Sequence, residues 1–255
     1  MTEYPLNTGE RAARDARRSL GIPETGPIGD LLSLAEDRYD VPVLIEPFNA
    51  DHIAGVLLRQ ASGASFVAVN ADHGPVKQRF TLAHELGHIQ MDHQPRVELM
   101  TDLFGRARDP QEIEANYFAA EFLAPRPAVR RWVEDRDLLG AIDADVVARL
   151  ALSFGIAFPT TCYRLERAGL VTSAAKGRLV QALKAPNSSV FARRHRDERL
   201  MDVIESLCRE KAYPRVPKQT TDYASRALAD ELIDRDEYER IVSEETGLDL
   251  ASWFE

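Results

Sequence analysis

Apolar and polar positions recur along this chain with two different periods, and the changes of period mark out its elements. Over residues 8–20 alanines and arginines repeat at helical spacing until Gly21-Ile22-Pro23, a sequence that ends helices, so a first helix is expected there. Ile28, Leu31, Leu32 and Leu34-Ala35 continue at helical intervals, after which Val41-Pro42-Val43-Leu44-Ile45 reads as a strand. Two more short apolar runs, at 53–58 and 65–70, flank Gln60-Ala61-Ser62-Gly63-Ala64, whose Ser-Gly step is turn chemistry, and they predict a hairpin. At Gly74-Pro75 a new helix can open, because proline is tolerated in a first turn. Val76, Phe80, Ala83-His84, Gly87-His88 and Met91 then follow one face of it.

Residues 112–123 predict the next helix, closed by Ala124-Pro125-Arg126-Pro127, and another follows at about 129–139. The stretch 143–171 splits at Phe154-Gly155-Ile156 into two helices joined by a tight turn, the second opening at Pro159 or Thr160, which is the outline of a helix-turn-helix. Residues 184–189 change composition as a linker does, and 196–212, 222–233 and 236–246 read as helices beyond it. The chain is therefore expected to divide into residues 1–184, with the helix-turn-helix-like part at about 128–175, and a helical C-terminal extension at 187–255. The sequence contains no internal repeat.

Composition narrows the function classes. With 255 residues and 44% hydrophobic content the chain can bury one sizeable core, or one core and a small appendage. A formal net charge of −9 argues against a protein that coats a polyanion. Two cysteines, Cys162 and Cys208, cannot form a disulfide framework, and the N-terminal stretch lacks the apolar core of a signal peptide. No run approaches the roughly 18 apolar residues of a membrane span. These features predict a soluble protein of the reducing cytoplasm, without a membrane partner.

The chemistry lies in RFTLAHELGHIQMDH, at 79–93. On a helix, His84 and His88 lie four residues apart on one face, so both imidazoles can converge on one metal ion, zinc being the usual occupant. A catalytic zinc keeps a position for water, and Glu85, beside the first histidine, can serve as the general base that takes its proton. Chance spacing on a solvated helix is disfavoured, because the histidines share their face with Phe80, Ala83 and Met91, where unpartnered imidazoles would be costly. Gly87, about 1 kcal/mol worse than alanine within a helix, suggests that something comes close to the second histidine.

A third ligand is needed, and His93, Glu98, Asp102, Asp109, Glu112, Glu114 and Glu121 are the candidates. Glu114, Tyr117, Phe118, Glu121 and Phe122 recur at helical spacing, which puts Glu114 on the apolar face and turns Glu112 elsewhere, so Glu114 is expected to bind the metal. Glu121 lies two turns on, too far to share the ion. It is read either as an acceptor that orients a ligand imidazole or as a surface ion pair. His93, five residues past His88 and off its face, is read as a pocket or surface residue.

These residues carry a family resemblance. RFTLAHELGH after a strand ending in Val69-Asn70, then EANYFAAEFLAP, then a helix pair ending in RLERAGLV are similar to the ImmA/IrrE family of zinc-dependent metallo-endopeptidases, over roughly residues 25–175. The resemblance implies a mostly helical, α+β zincin-like domain with a small three-stranded sheet. It implies one zinc per chain, with Mn2+ as the alternative ion, held by His84, His88 and Glu114, with Glu85 as base. It also implies a protein substrate, a separately encoded XRE-type helix-turn-helix repressor, whose cleavage switches on a stress, DNA-damage or mobile-element response. Some relatives carry an N-terminal DNA-binding domain or a C-terminal GAF-like sensor. Here the region after Pro186 reads as helical and too short for a GAF fold.

The rival reading is a transcriptional regulator that binds DNA through 143–171, with Arg164 and Arg167 on the second helix. Glu166 lies between those arginines, and Val146, Val147, Leu150, Leu152, Phe154, Ile156, Phe158, Leu165 and Leu170 suit a pair that completes a core, so direct DNA binding is not expected. The cluster Arg193-Arg194-His195-Arg196 is diluted by Asp197-Glu198. A non-catalytic scaffold is disfavoured because Glu85 stands beside the ligands.

Overall fold

The computed structural model describes residues 5–48, 50–59, 63–94, 97–103, 107–184 and 217–230, with 232, 234, 235, 238 and 239. Helices α1 (Pro5–Ser19) and α2 (Leu31–Arg38) precede three strands, β1 (Val43–Glu46), β2 (Ile53–Arg59) and β3 (Ser65–Asn70). Helix α3 (Pro75–Gln90) and a short strand β4 (Val97–Leu99) follow. Then come α4 (Pro110–Leu123), α5 (Arg126–Glu134), α6 (Ala144–Phe154), α7 (Phe158–Arg167), α8 (Ser173–Lys184) and α9 (Lys218–Ala229). The three strands read from the sequence are present, and β4 adds a fourth at the edge in the order β1-β3-β2-β4. β1 runs parallel to β3, and β2 is antiparallel to both β3 and β4. The architecture is the expected α+β, zincin-like one.

Local chemistry sets the helix starts. Asp30, Asp109 and Asp143 each accept a hydrogen bond from a backbone N–H in the first turn of α2, α4 and α6. Prolines occupy the first turns of α3, α4, α5 and α7, where no amide donor is missed. Both faces of the sheet are buried. Val43, Ile45, Leu57, Val67 and Val69 pack into the main core with the helices, while Leu44, Phe48, Ile53, Val56 and Ala68 form a second, smaller cluster on the other face.

Two elements were not legible in the sequence pattern. α8 contains Gly177 and few apolar residues, and β4 is only three residues long. Of the helices expected beyond the linker, 222–233 corresponds to α9, and 196–212 lies outside the described residues, as does most of 236–246. α9 docks on α2: the Lys218 backbone N–H donates to Glu36 Oε1 at 3.0 Å, and its Nζ pairs with Asp37 at 2.6 Å.

A buried ionic network ties the helix pair α6–α7 to the rest. Arg164 on α7 is fully buried. Its Nε donates to the Ala124 carbonyl at the end of α4 (2.8 Å), one Nη reaches Glu10 Oε1 (3.4 Å), and the other pairs with the buried Glu121. Arg167 grips Glu10 with two bonds, at 3.0 and 2.9 Å. Burial pushes the Glu10 carboxyl up, but the hydrogen bond from Arg167 and the fields of Arg164 and Arg126 outweigh it and hold Glu10 below its ordinary value. Arg17 on α1 closes the same seam through the carbonyls of Phe122, Pro23 and Gly26.

The network corrects two expectations. Glu121 is neither a partner of a ligand imidazole nor a surface ion pair: it is a buried acceptor for Arg164, with Arg14 at 3.5 Å and Arg126 at 4.0 Å. Arg164 and Arg167 are not presented to a DNA groove, although α6 and α7 meet at 100°, an angle typical of helix-turn-helix pairs. Their guanidinium groups face Glu10 and Glu121 inside the domain.

Removing the Arg164 guanidinium would leave Glu121, fully buried, without its hydrogen-bonding partner, while Glu10 would keep its two bonds from Arg167. Arg164→Ala is therefore expected to cost roughly 3–5 kcal/mol in urea unfolding, whereas Arg131→Ala, which loses an exposed pair with Asp135, should stay within about 0.5 kcal/mol.

Candidate metal centre

α3 carries both histidines and is buried along most of its length, with His84, Glu85 and His88 at or below 1% exposure. It is held between the sheet and α4. Gly87 makes the closest approach possible, since a Cβ there would lie 2.9 to 3.1 Å from Cδ1, Cγ and Cβ of Phe118 on α4. The crowding expected at Gly87 is thus that of a neighbouring helix.

That approach brings one glutamate of α4 to the histidines, and it is Glu112. His84 Nε2 and His88 Nε2 lie 2.8 Å apart, and Glu112 Oε2 and Oε1 stand 3.2 and 3.5 Å from them. Candidate ligand atoms of His84, His88 and Glu112 all fall within 4.8 Å of one another, and all three residues are buried. Glu114, the ligand expected from the sequence, points instead to His93, with its Oε2 at 3.0 Å from His93 Nε2. The apolar-face argument failed because α1 and α3 both pack along α4. Even the Glu114–Phe118 side is covered, as a Cβ on Gly9 of α1 would collide with the Glu114 carbonyl at 2.1 Å. On a helix buried from several directions, the apolar stripe does not single out the face that meets α3.

Asn116 was missed, and its signal was present: Glu112 and Asn116 lie four apart and so share a face. Asn116 Nδ2 donates to the Asp102 carbonyl at 2.7 Å, which turns its Oδ1 towards His84 Nδ1 at 3.2 Å. The amide thereby holds the Nδ1–H tautomer of His84 and leaves its Nε2 lone pair facing Glu112. Burial pushes the His88 imidazole down to about 4; His84 and His93 add to this and Glu112 opposes it, so His88 is neutral near pH 7, the form that donates a lone pair. Two imidazoles and a carboxylate, buried and brought together, fit a divalent transition metal, and their composition is that of His2Glu zinc sites.

Of the remaining candidates, Asp102 contributes its carbonyl and Asp109 caps α4 by accepting from the Gln111 N–H at 2.9 Å. The Glu98 side chain lies outside the described residues. Glu85, fully buried, faces the sheet strand β2: a Cβ on Gly55 would come to 3.1 Å from Glu85 Oε1 and 2.6 Å from Thr81 Cγ2. The missing side chain at Gly55 makes room for the Glu85 carboxylate, a role the strand's sequence did not announce.

An α+β zincin-like fold holding a buried His-His-Glu group on two packed helices defines a metallopeptidase class of protein. Residues 36–166, just over half of the chain, match the peptidase family described as the IrrE N-terminal-like domain, and the chain belongs to that family. It is also 26% identical over 85 residues to "Uncharacterized immunity region protein 2" of Bacillus phage phi105, a match that takes in 33% of this chain and 54% of that protein. Among solved structures it is similar to a Mycobacterium tuberculosis transcriptional regulator, at 23% identity and a TM-score of 0.41, over 62% of this chain and 46% of that one. This chain thus spans about half the length of each. Among the described residues no single helix is long and apolar enough to cross a membrane.

Elemental analysis of purified protein separates the two glutamates. Glu112→Ala is expected to lose the bound metal, while Glu114→Ala keeps a ligand set that still holds it; loss of metal from the second variant alone would reverse the assignment.

Proposed function

We propose that the chain is a zinc-dependent endopeptidase that hydrolyses a peptide bond in a partner repressor of the XRE type and so relieves repression in a stress, DNA-damage or mobile-element response. The observation that carries the chemistry is the buried convergence of His84, His88 and Glu112, with the buried Glu85 adjacent to His84 in sequence and its carboxylate in space cleared by Gly55. Bound there, zinc would act as a Lewis acid on the scissile carbonyl and make water nucleophilic near neutral pH, with Mn2+ the alternative ion. Glu85 accepts the proton of the attacking water and passes it to the leaving amine. His84, His88 and Glu112 would hold the ion, and Asn116 would keep His84 in the tautomer that can do so.

Support for the substrate class is contextual. The family is one of peptidases, and the matched phage protein bears the name of an immunity region. We place the reaction in the cytoplasm, among the cell's own proteins, where an indiscriminate endopeptidase would be harmful. Selectivity would come from docking a folded partner on the helix pair at 143–171 and on the extension at 187–255, so that only an exposed linker reaches Glu85. The DNA-binding alternative finds no support in the helix pair, because Arg164 and Arg167, the arginines of its second helix, are engaged by Glu10 and Glu121.

Incubating the metal-loaded enzyme with the helix-turn-helix repressor encoded beside it, and separately with casein, and following fragments by mass spectrometry tests the reading. One or a few cuts in the repressor are expected; casein digested at many sites with the repressor intact would overturn it. Glu85→Gln should retain metal and lose roughly 10²–10⁴-fold in turnover. Gly55→Ala, which forces Thr81 and Glu85 to shift, should likewise keep the metal but slow cleavage by at least about tenfold, and wild-type turnover in that variant would show that the clearance at Gly55 does not position Glu85.

A further inference from the structure

His93 does not belong to the histidine pair by sequence spacing, yet it is 5% exposed and lies against His88, with ring centroids 5.0 Å apart. The end of α3 explains how. Met91 closes the helix, Asp92 takes the left-handed conformation at φ +54°, and the chain folds back so that the His93 N–H donates to the His88 carbonyl (2.9 Å) and the Asp92 N–H to that of Ile89 (3.2 Å). This is the Schellman arrangement of a helix C-terminus, in which the residue two beyond the cap packs on the side chain at C3. The contact is usually apolar. Here its two members are imidazoles, and the side chain packed upon is the second histidine of the metal centre. Asp92 adopts a conformation uncommon for a residue with a Cβ, and Arg59 on β2 holds its carboxylate at 2.5 Å.

The hydrogen bonds then run in one direction. Glu114 Oε2 lies 3.0 Å from His93 Nε2, and His93 Nδ1 lies 3.0 Å from His88 Nδ1. A carboxylate only accepts, so the proton of a neutral His93 sits on Nε2 and its Nδ1 carries a lone pair. That lone pair accepts from His88 Nδ1–H, and the lone pair of His88 is left on Nε2, the atom facing His84 and Glu112. We propose that Glu114 and His93 form a relay that fixes the tautomer and ring orientation of His88, so that Glu114 tunes metal affinity without touching the ion.

Glu114 and His93 are positioning residues here, and the inference rests on the metal-binding reading above. It differs from a direct-ligand role for Glu114 in a measurable way. Zinc affinity of metal-stripped full-length protein is read by competition with a chromogenic chelator, for the wild type, Glu114→Ala, Glu114→Gln, His93→Leu and the Glu114→Ala/His93→Leu double variant. Each Ala or Leu variant is expected to weaken binding by roughly 10–100-fold, and the double variant to be no weaker than His93→Leu, because Glu114 acts only through His93. Glu114→Gln, which keeps an acceptor oxygen, should lie between wild type and Glu114→Ala. The visible spectrum of the cobalt-loaded protein should change in His93→Leu and Glu114→Ala while the melting temperature of metal-free Glu114→Ala, altered at the rim of the site, stays near that of the wild type. Unchanged affinity in Glu114→Ala, or losses that add in the double variant, overturns the relay. A wild type that binds no zinc overturns the metal centre itself, which separates the two failures.

Discussion

Close packing of α4 on α3 is the constraint from which the rest of this site follows. Two helices can approach this tightly only where side chains are absent or flat, and here Gly87 lies under the Phe118 ring. The same packing sets Glu112 against His84 and His88 and Asn116 against the outer nitrogen of His84. On the opposite side of α3 the sheet repeats the device, since Gly55 clears the space that Glu85 occupies. Gly87 thus lets α4 close on one side of α3, and Gly55 lets the sheet close on the side of Glu85.

How much of this could be read from the sequence depended on whether a residue's partner was local. The histidine pair and its glutamate were legible because helix geometry alone puts residues four apart on one face. The hairpin, the Pro75 helix start and the break at Gly155 were legible for the same reason. Glu112 was not, because choosing between it and Glu114 required knowing which side of α4 meets α3, and α4 is covered on several sides. Periodicity reports that a face is buried, not by what. His93 was set aside on spacing that holds only while the helix continues; the turn at Asp92 brings it back onto His88. Residues 185–216, which hold most of the linker and the first helix expected beyond it, lie outside the described residues.

α4 shows how one helix can bury carboxylates with different consequences. Glu121, fully buried, meets the guanidinium groups of Arg164, Arg14 and Arg126, permanent positive charges that make it a structural element. Glu112, almost as buried, meets two imidazoles, and burial holds His88 neutral near pH 7. A divalent ion bound there would supply at Glu112 what arginine supplies at Glu121. Glu114, less buried than either, meets a single imidazole, that of His93 at 3.0 Å. The chemistry of each glutamate follows from the kind of cation its surroundings provide.

The helix pair α6–α7 acquires its meaning from the same helix. Its crossing angle and its glycine turn are those of a DNA-reading module, but a recognition helix must carry its arginines outward, and α7 turns Arg164 inward to the end of α4 and to Glu10 of α1. Since Glu121 and the capping Ala124 lie at the end of α4, whose first turn carries Glu112, α7 anchors one end of the element whose other end brings Glu112 to the histidines. A buried ion pair adds little net stability over a well-packed apolar contact, but removing one partner is costly. The network therefore acts on register: Arg164 can satisfy Glu121, Glu10 and the Ala124 carbonyl together only at one position of α7 against α1 and α4. Sliding α4 by a turn would break those bonds and carry Glu112 away from the histidines, so the ionic network and the metal centre specify the same placement of α4.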